Sequence, residues 1–445
     1  MIKHFNLHRP VLYNWIFLAA VIIYIITAYN SHGYYGTDEQ FHIIEFAKVK
    51  LGINQVADMP WGYSEQFRST LQPIICLLVM KLSTGLGISD PYTVGFILRL
   101  LSAFLALISI HFFIKYTDHL IQNNKVKIAY YLLSYFIWFI PFMSVRFSSE
   151  TWAGLFFLNA FVIYYHPKLQ KRKFFLTGCV LGFSFLFRFQ MAFAALGFVM
   201  WLILIDKSTF KQILNLISGA CIVLLIGNIM DCWFYENKVF TIWNYFYAFY
   251  DNTANLDSAR FGTSPWYTYI EQLFRLPGYF LGASFIVSIL ILIITRPKNI
   301  FIWCFLPFFI IHSCIPHKEE RFIFPLVYLL AIILVLAYER INSFLNKPFL
   351  SSINYVIIIA LVILNSIGLI IVSTCFAGNG KMMIVKYIHD EYGKAPVNLI
   401  QSNWGDIYDK HGGIIPFQEK QVNMRSIDNL CDLTDSLLVS NKENI

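Results

Sequence analysis

Long apolar runs separated by short polar connectors recur along most of the chain, and their lengths decide its class. A bilayer-spanning helix needs about 20 mostly apolar residues. Runs of that order lie at 11–29, 94–115, 127–145, 150–165, 174–188, 190–205, 211–230, 278–295, 299–316, 321–338 and 353–374, which predicts eleven spans. The run Leu71 to Leu82 is shorter, preceded by Arg68 and interrupted by Lys81, so it reads as a juxtamembrane or re-entrant helix. The pair 174–188 and 190–205 is also short and turns at Arg188 and Gln190. Both helices are expected to reach only partway and to hold Arg188 in an outward-facing cavity. From about Gly378 polar residues take over, with apolar patches such as Val397 to Ile400. The pattern therefore predicts an all-α polytopic membrane domain over 1–375 and a small soluble α/β appendage over 376–445.

Composition excludes a soluble domain: 57% of residues are hydrophobic and 13% charged, and mean hydropathy is +0.58. The distribution of charge says more than its net value of +8. If 71–82 does not cross, the stretches 1–10, 115–127, 166–173, 206–211, 296–298 and 339–347 share one side. They hold 15 Lys/Arg against 3 Asp/Glu, whereas the loops opposite hold 11 against 14. Basic residues mark the cytoplasmic side, so the N-terminus is expected inside and the C-terminal tail outside. No small-residue cleavage site follows the first apolar segment, which is expected to be retained. Most of the eight cysteines lie in apolar segments with no Cys-x-x-Cys or Cys/His spacing. They read as small core residues rather than disulfide or metal ligands, and no metal is expected.

The chemistry-bearing residues fall on the outer side. In Thr37-Asp38-Glu39-Gln40, Thr37 can cap a helix with Gln40 as its reciprocal partner. Continued as a helix, the stretch puts Asp38, His42 and Glu45 on one face, which is more ionisable chemistry than a cap requires. His317-Lys318-Glu319-Glu320-Arg321 lies at a tight turn between two apolar helices. It reads either as an interfacial cluster snorkelling to headgroups or as a cradle for a phosphate. Arg146 and Glu150 stand at i and i+4, where a local salt bridge is the default. Arg188 interrupts an apolar hairpin and needs an anionic partner, a carboxylate or a phosphate. The loop 231–277 carries Asp231, Tyr235, Trp243 and Trp266 among further aromatics. Such a loop suits an interfacial belt, and equally a carbohydrate or lipid headgroup. No phosphate-binding glycine motif opens a helix.

These pieces in this order resemble a known family. Asp38-Glu39-Gln40-Phe41, Arg68-Ser69 before Pro73, Phe147-Ser148-Ser149-Glu150 and Phe187-Arg188-Phe189-Gln190 are placed as in the mannosyltransferases that build GPI anchors and the lumenal arms of N-glycan precursors. So are Asp231 with Phe234-Tyr235, Trp243-Asn244-Tyr245, Gly262-Thr263-Ser264-Pro265-Trp266-Tyr267 and His317-Lys318-Glu319-Glu320-Arg321-Phe322. The resemblance covers about 30–330 and implies the GT-C type of transmembrane bundle, with its active site on the non-cytoplasmic face. It implies a polyprenyl-phosphate sugar donor, usually mannose, and a glycan or glycolipid acceptor, with no further cofactor. It also implies catalysis at Asp38, with Glu39 beside it. The residues expected to bind substrate are His42, Arg146, Glu150, Arg188, Gln190, Asp231, Tyr235, Trp243, Trp266, His317, Lys318, Glu319 and Arg321. A composition rich in Ile, Asn, Lys and Phe points to a bacterial inner-membrane protein; a eukaryotic one belongs in the endoplasmic reticulum membrane. The rival classes are a flippase of lipid-linked glycans, disfavoured by the lack of internal repeats, and a glycan polymerase or ligase.

Overall fold

The computed structural model describes residues 9–254, 262–345, 348–393, 395–402, 408, 410, 413–417, 422–427 and 443–444. Cys431 and much of the tail lie outside the described residues. The predicted apolar runs are helical, beginning with Arg9–Asn30, Pro91–Thr117, Ser149–Tyr165 and Phe210–Tyr235 and ending with Leu330–Leu345 and Pro348–Thr374. Among the described residues five helices are long and apolar enough to cross a membrane, or up to seven if each bent pair is one span, against the eleven spans expected from apolar runs that include shorter helices. The run predicted at 127–145 is broken into Asn124–Phe136 and Phe139–Val145, bent by 49°. Breaking a helix at membrane depth strands backbone groups that lipid cannot satisfy. Here the Asn365 amide supplies both partners, donating to the Phe136 carbonyl at 2.7 Å and accepting from the Trp138 N–H at 2.9 Å.

The helices Lys173–Phe187 and Ala192–Leu204, of 15 and 13 residues, are about 22 and 20 Å long at 1.5 Å per residue. Each is shorter than the ~30 Å hydrocarbon core of a bilayer, as their apolar lengths predicted. The first packs against Phe210–Tyr235 with the backbones nearly touching. A Cβ on Gly178 would overlap the Leu216 carbonyl oxygen, and one on Gly219 the Phe175 carbonyl oxygen. Small residues are what let membrane helices approach so closely. Gly178→Val should therefore force the pair apart and cost about 1–3 kcal/mol, read as a lowered unfolding temperature in detergent. Gly85→Ala, with nothing within 4 Å of the added carbon, should leave that temperature unchanged.

The tail docks at the same end of the bundle as the acidic stretch. Its helix Asn379–Tyr392 leads into the parallel strands Val397–Ser402 and Val422–Ile427, with Val397 opposite Val422. Before the helix, the Ala377 N–H donates to the His32 carbonyl at 2.8 Å. His389 reaches Asp90 at 3.0 Å, and the Phe417 ring lies 5.3 Å from that of Tyr92.

Candidate active site

The acidic stretch starts one residue earlier than its spacing predicts. Gly36, not Thr37, caps the helix, and Glu39 rather than Gln40 reaches back, to the Gly36 N–H at 3.4 Å. That frees Gln40 to donate to Glu45 at 2.6 Å. A π-helical turn over Gln40–Ile44 follows. Its extra residue rotates everything beyond it, so the predicted common face is half right. His42 meets Asp38, but Glu45 turns away to Gln40, Lys48 and Asn54. Such π-turns recur at functional sites.

Asp38 is buried at the centre of a cationic cage. Its Oδ1 is 2.7 Å from His42 Nδ1. Its Oδ2 is met by Arg321 at 3.0 Å, Arg68 at 3.1 Å and Arg188 at 3.3 Å. Arg188 also reaches Glu150 at 3.1 Å, Arg321 bonds Glu319 through Nε at 2.5 Å, and the Phe322 ring lies under both guanidiniums. Three guanidiniums thus face three carboxylates, Asp38, Glu150 and Glu319. Such a cluster is stable when complete and costly when one partner is removed.

The predicted pair of Arg146 with Glu150 does not form. The helix begins only at Ser149, with Ser148 as its extended N-cap, so Arg146 precedes it and shares no face with Glu150. Arg146, fully buried, instead pairs with Glu39 at 3.6 Å and donates to the carbonyls of Gly33 and Ser31. It ties the loop after the first helix to the acidic stretch.

Asp231 and Tyr235 act at one remove. Asp231 accepts from the N–H and hydroxyl of Thr70, both at 2.7 Å, and from the Thr241 hydroxyl at 2.6 Å. Tyr235 donates to the Arg68 carbonyl at 2.9 Å. These bonds brace the 65–70 segment that aims Arg68 at Asp38. Asp231→Ala is expected to lower activity through a displaced Arg68 and to lower stability by about 1–3 kcal/mol as buried donors lose their acceptor. Thermal unfolding read beside transfer rate checks both effects.

The remaining predicted residues divide. Gln190 lines a cavity of roughly 40 Å³ at Asp38, together with His42, Arg68, Gln72, Ser149 and Tyr245. That is room for about three waters, or for the edge of a sugar. Trp243 and Trp266 are exposed, as an interfacial belt requires. His317 pairs with Glu319, while Lys318 spends its ammonium on the carbonyls of Ser264 and Ile315. Within the basic run, it is Arg321 that reaches Asp38. Spacing missed Arg68 and Gln72. The Gln72 amide is buried, and among the described residues neither its oxygen nor its nitrogen has a partner, so both are available to a hydroxyl in the cavity.

Electrostatics assigns protonation states. Burial pushes Asp38 up, but Arg68, His42 and Arg321 outweigh it and hold the carboxyl well below the usual carboxylate range. Burial leaves Glu39 raised, although the Arg146 charge and the Gly36 N–H pull it down. His42 is lowered by burial despite Asp38 beside it, so it is neutral near pH 7. Facing an ionised Asp38, its Nδ1 carries the proton and its buried Nε2, which has no partner among the described residues, is an acceptor. A depressed carboxyl stabilises the fold above its unfolded pKa, and that contribution is lost as pH falls through the depressed value. The acidic limb of kcat/KM, which reports the base of the free protein, should therefore be flat between roughly pH 5 and 8. A limb centred near pH 6 would contradict this assignment.

Comparison with known proteins agrees with this picture. GPI mannosyltransferase 3 of Candida albicans is 26% identical over 276 residues, 60% of this chain and 52% of the relative. Mannosyltransferase APTG1 of Arabidopsis thaliana is 23% identical over 321 residues, 70% of this chain and 56% of the relative. The chain thus spans little more than half the length of these relatives. Among solved structures, ArnT of Cupriavidus metallidurans bound to undecaprenyl phosphate superposes with a TM-score of 0.55 at 12% identity, covering 97% of this chain and 90% of that one. The likeness shows the expected GT-C fold, and the long apolar helices make the chain an integral membrane protein. The pattern of the Alg9-like mannosyltransferases matches residues 15–398, most of the length, and the chain belongs to the Alg9-like mannosyltransferase family.

Proposed function

We propose that the chain transfers a sugar, mannose in the first instance, from a polyprenyl-phosphate donor to a hydroxyl of a glycan or glycolipid. The observation that carries this reading is Asp38 itself. One oxygen is fixed by His42, the other faces three guanidiniums, and the residue lines a small polar cavity. Family membership supports the sugar, and ArnT's bound undecaprenyl phosphate supports an isoprenoid phosphate as carrier.

In the reaction Asp38 accepts the proton of the acceptor hydroxyl as that oxygen bonds to the anomeric carbon. The bond from that carbon to the phosphate oxygen breaks on the opposite face, inverting the centre and releasing polyprenyl phosphate. A phosphate needs little acid help to leave; it needs cations in place before charge develops. Arg68, Arg188 and Arg321 supply them, the role a divalent cation plays elsewhere, and the scheme has no metal. In the resting protein these guanidiniums hold Asp38 as a weak base. A donor phosphate competes for them and, as it draws them off, raises the basicity of Asp38 when an acceptor is to be deprotonated. Gln72, Gln190 and His42 Nε2 orient the acceptor hydroxyls. The acidic stretch and the tail then face the non-cytoplasmic side, as the charge distribution of the connectors predicts.

The test is the purified chain in detergent with a labelled polyprenyl-phosphate mannose and a glycolipid acceptor. Labelled product and free polyprenyl phosphate should appear in equal amounts. In liposomes, movement of the donor across the bilayer without bond formation would favour the flippase class instead.

A further inference from the structure

Asp38 and Glu39 are adjacent in sequence but line different cavities. The one beside Glu39 has a volume of about 530 Å³, within the ~300–1,000 Å³ of small-molecule sites. Its walls are largely apolar, with Leu51, Met80, Ile88, Val94 and Leu98 among them, and the tail contributes Phe417. Its charged residues are Glu39, Lys48, Arg146 and Arg99. Lys48 is paired with Glu45 at 2.9 Å, and Arg146 with Glu39 at 3.6 Å. Arg99 differs. It is 6% exposed in the apolar helix Pro91–Thr117, and among the described residues no carboxylate lies within 4.0 Å of it.

What holds Arg99 is neutral. Its Nε donates to the Ala28 carbonyl at 2.6 Å, and its Nη2 lies 3.4 Å from His32 Nδ1. Burial and the Arg99 charge push His32 down to about 4, so the imidazole is an uncharged acceptor that orients the guanidinium. A guanidinium does not shed its proton, and an ionisable group inside a membrane helix faces a partner or a cavity. The surplus charge calls for an anion from outside, and the apolar walls call for that anion to be attached to something greasy.

We infer that this cavity is a second anion site, separate from the Arg68, Arg188 and Arg321 cluster, taking the phosphate of an amphiphilic substrate with Arg99 as its anchor. The inference rests on the proposed function only for the word substrate. The donor phosphate of that transfer goes to the cage around Asp38, which leaves this site to the phosphate of a glycolipid acceptor.

Binding measured by native mass spectrometry of the full chain in detergent tests it. The probes are undecaprenyl phosphate and, as a diacyl phosphodiester bearing a polyol, phosphatidylinositol. Arg99→Gln should weaken phosphatidylinositol at least tenfold while undecaprenyl phosphate, taken by the Arg68, Arg188 and Arg321 cluster, stays bound. Arg99→Lys should keep most of the phosphatidylinositol affinity, and Arg188→Gln should leave phosphatidylinositol bound. Ser89→Trp, at an exposed position lining the cavity, should block the same lipid without touching a charge, and it decides the matter if Arg99→Gln fails to fold. Unchanged binding of phosphatidylinositol in folded Arg99→Gln, or in Ser89→Trp where that variant decides, overturns the inference. Transfer activity is not the readout, so absence of transfer in the unmodified chain would sink the proposed function and leave this site standing.

Discussion

Asp38→Asn should lower transfer by about 10²–10⁴-fold, the usual worth of a positioned general base, while donor binding survives. The substitution keeps the volume and removes the charge. An ionised carboxylate accepts from His42 at one oxygen and from Arg188 at the other, where the Arg68 and Arg321 charges also face it. An amide offers one acceptor, so its NH₂ must face either His42 or the cationic cage. The variant is therefore expected to unfold at a lower temperature as well, and rates must be normalised to folded protein. With no carboxylate competing, the guanidiniums are freer to take a phosphate, so the KM for donor should stay level or fall while kcat collapses. Initial rates over a range of donor concentration check the split. Retention of most of the transfer would remove Asp38 from the role of base.

Removing Arg188 should produce the largest combined loss of stability and activity. Its Nη1 joins Asp38 to Glu150, and all three side chains are buried. Arg188→Ala leaves Glu150 buried with its cation gone, and breaking such a pair costs about 3–5 kcal/mol. It also removes one of three cations from the leaving phosphate. Arg188→Lys should recover part of both, because an ammonium restores the charge but not the planar fork of donors. Thermal unfolding in detergent, read beside a donor titration, separates the two losses. Wild-type stability together with unaltered transfer in Arg188→Ala would contradict the role given to the cage.

What could be read in the chain beforehand follows from the range of each interaction. The apolar runs announce helices because burial in lipid acts on every residue of the segment, and even the short 174–188 and 190–205 pair is found as short helices. The acidic stretch and Arg188 stood out because ionisable groups are expensive beside a membrane. Spacing carries only local periodicity, however. It paired Arg146 with Glu150, four residues apart, when the partners are Glu39 and Arg188, 107 and 38 positions away in sequence. It put Glu45 on the Asp38 face because a π-turn leaves no obvious mark in the sequence. Asp231 looked like a ligand for substrate because nothing local showed Thr70 and Thr241 closing on it. Arg68 entered only through the resemblance, as Arg68-Ser69 before Pro73; one basic residue in a polar loop gives no local sign of the carboxylate it meets. Arg99 did carry one: an arginine inside an apolar span is a functional candidate by default.

The central claim is a single displacement with Asp38 as base, and the anomeric configuration of the product tests it most directly. The product sugar, examined by NMR against the configuration of the donor, should be inverted at the anomeric carbon. Retention would require a covalent intermediate on a second carboxylate, with Glu39 the nearest in the chain, and would contradict the one-base mechanism.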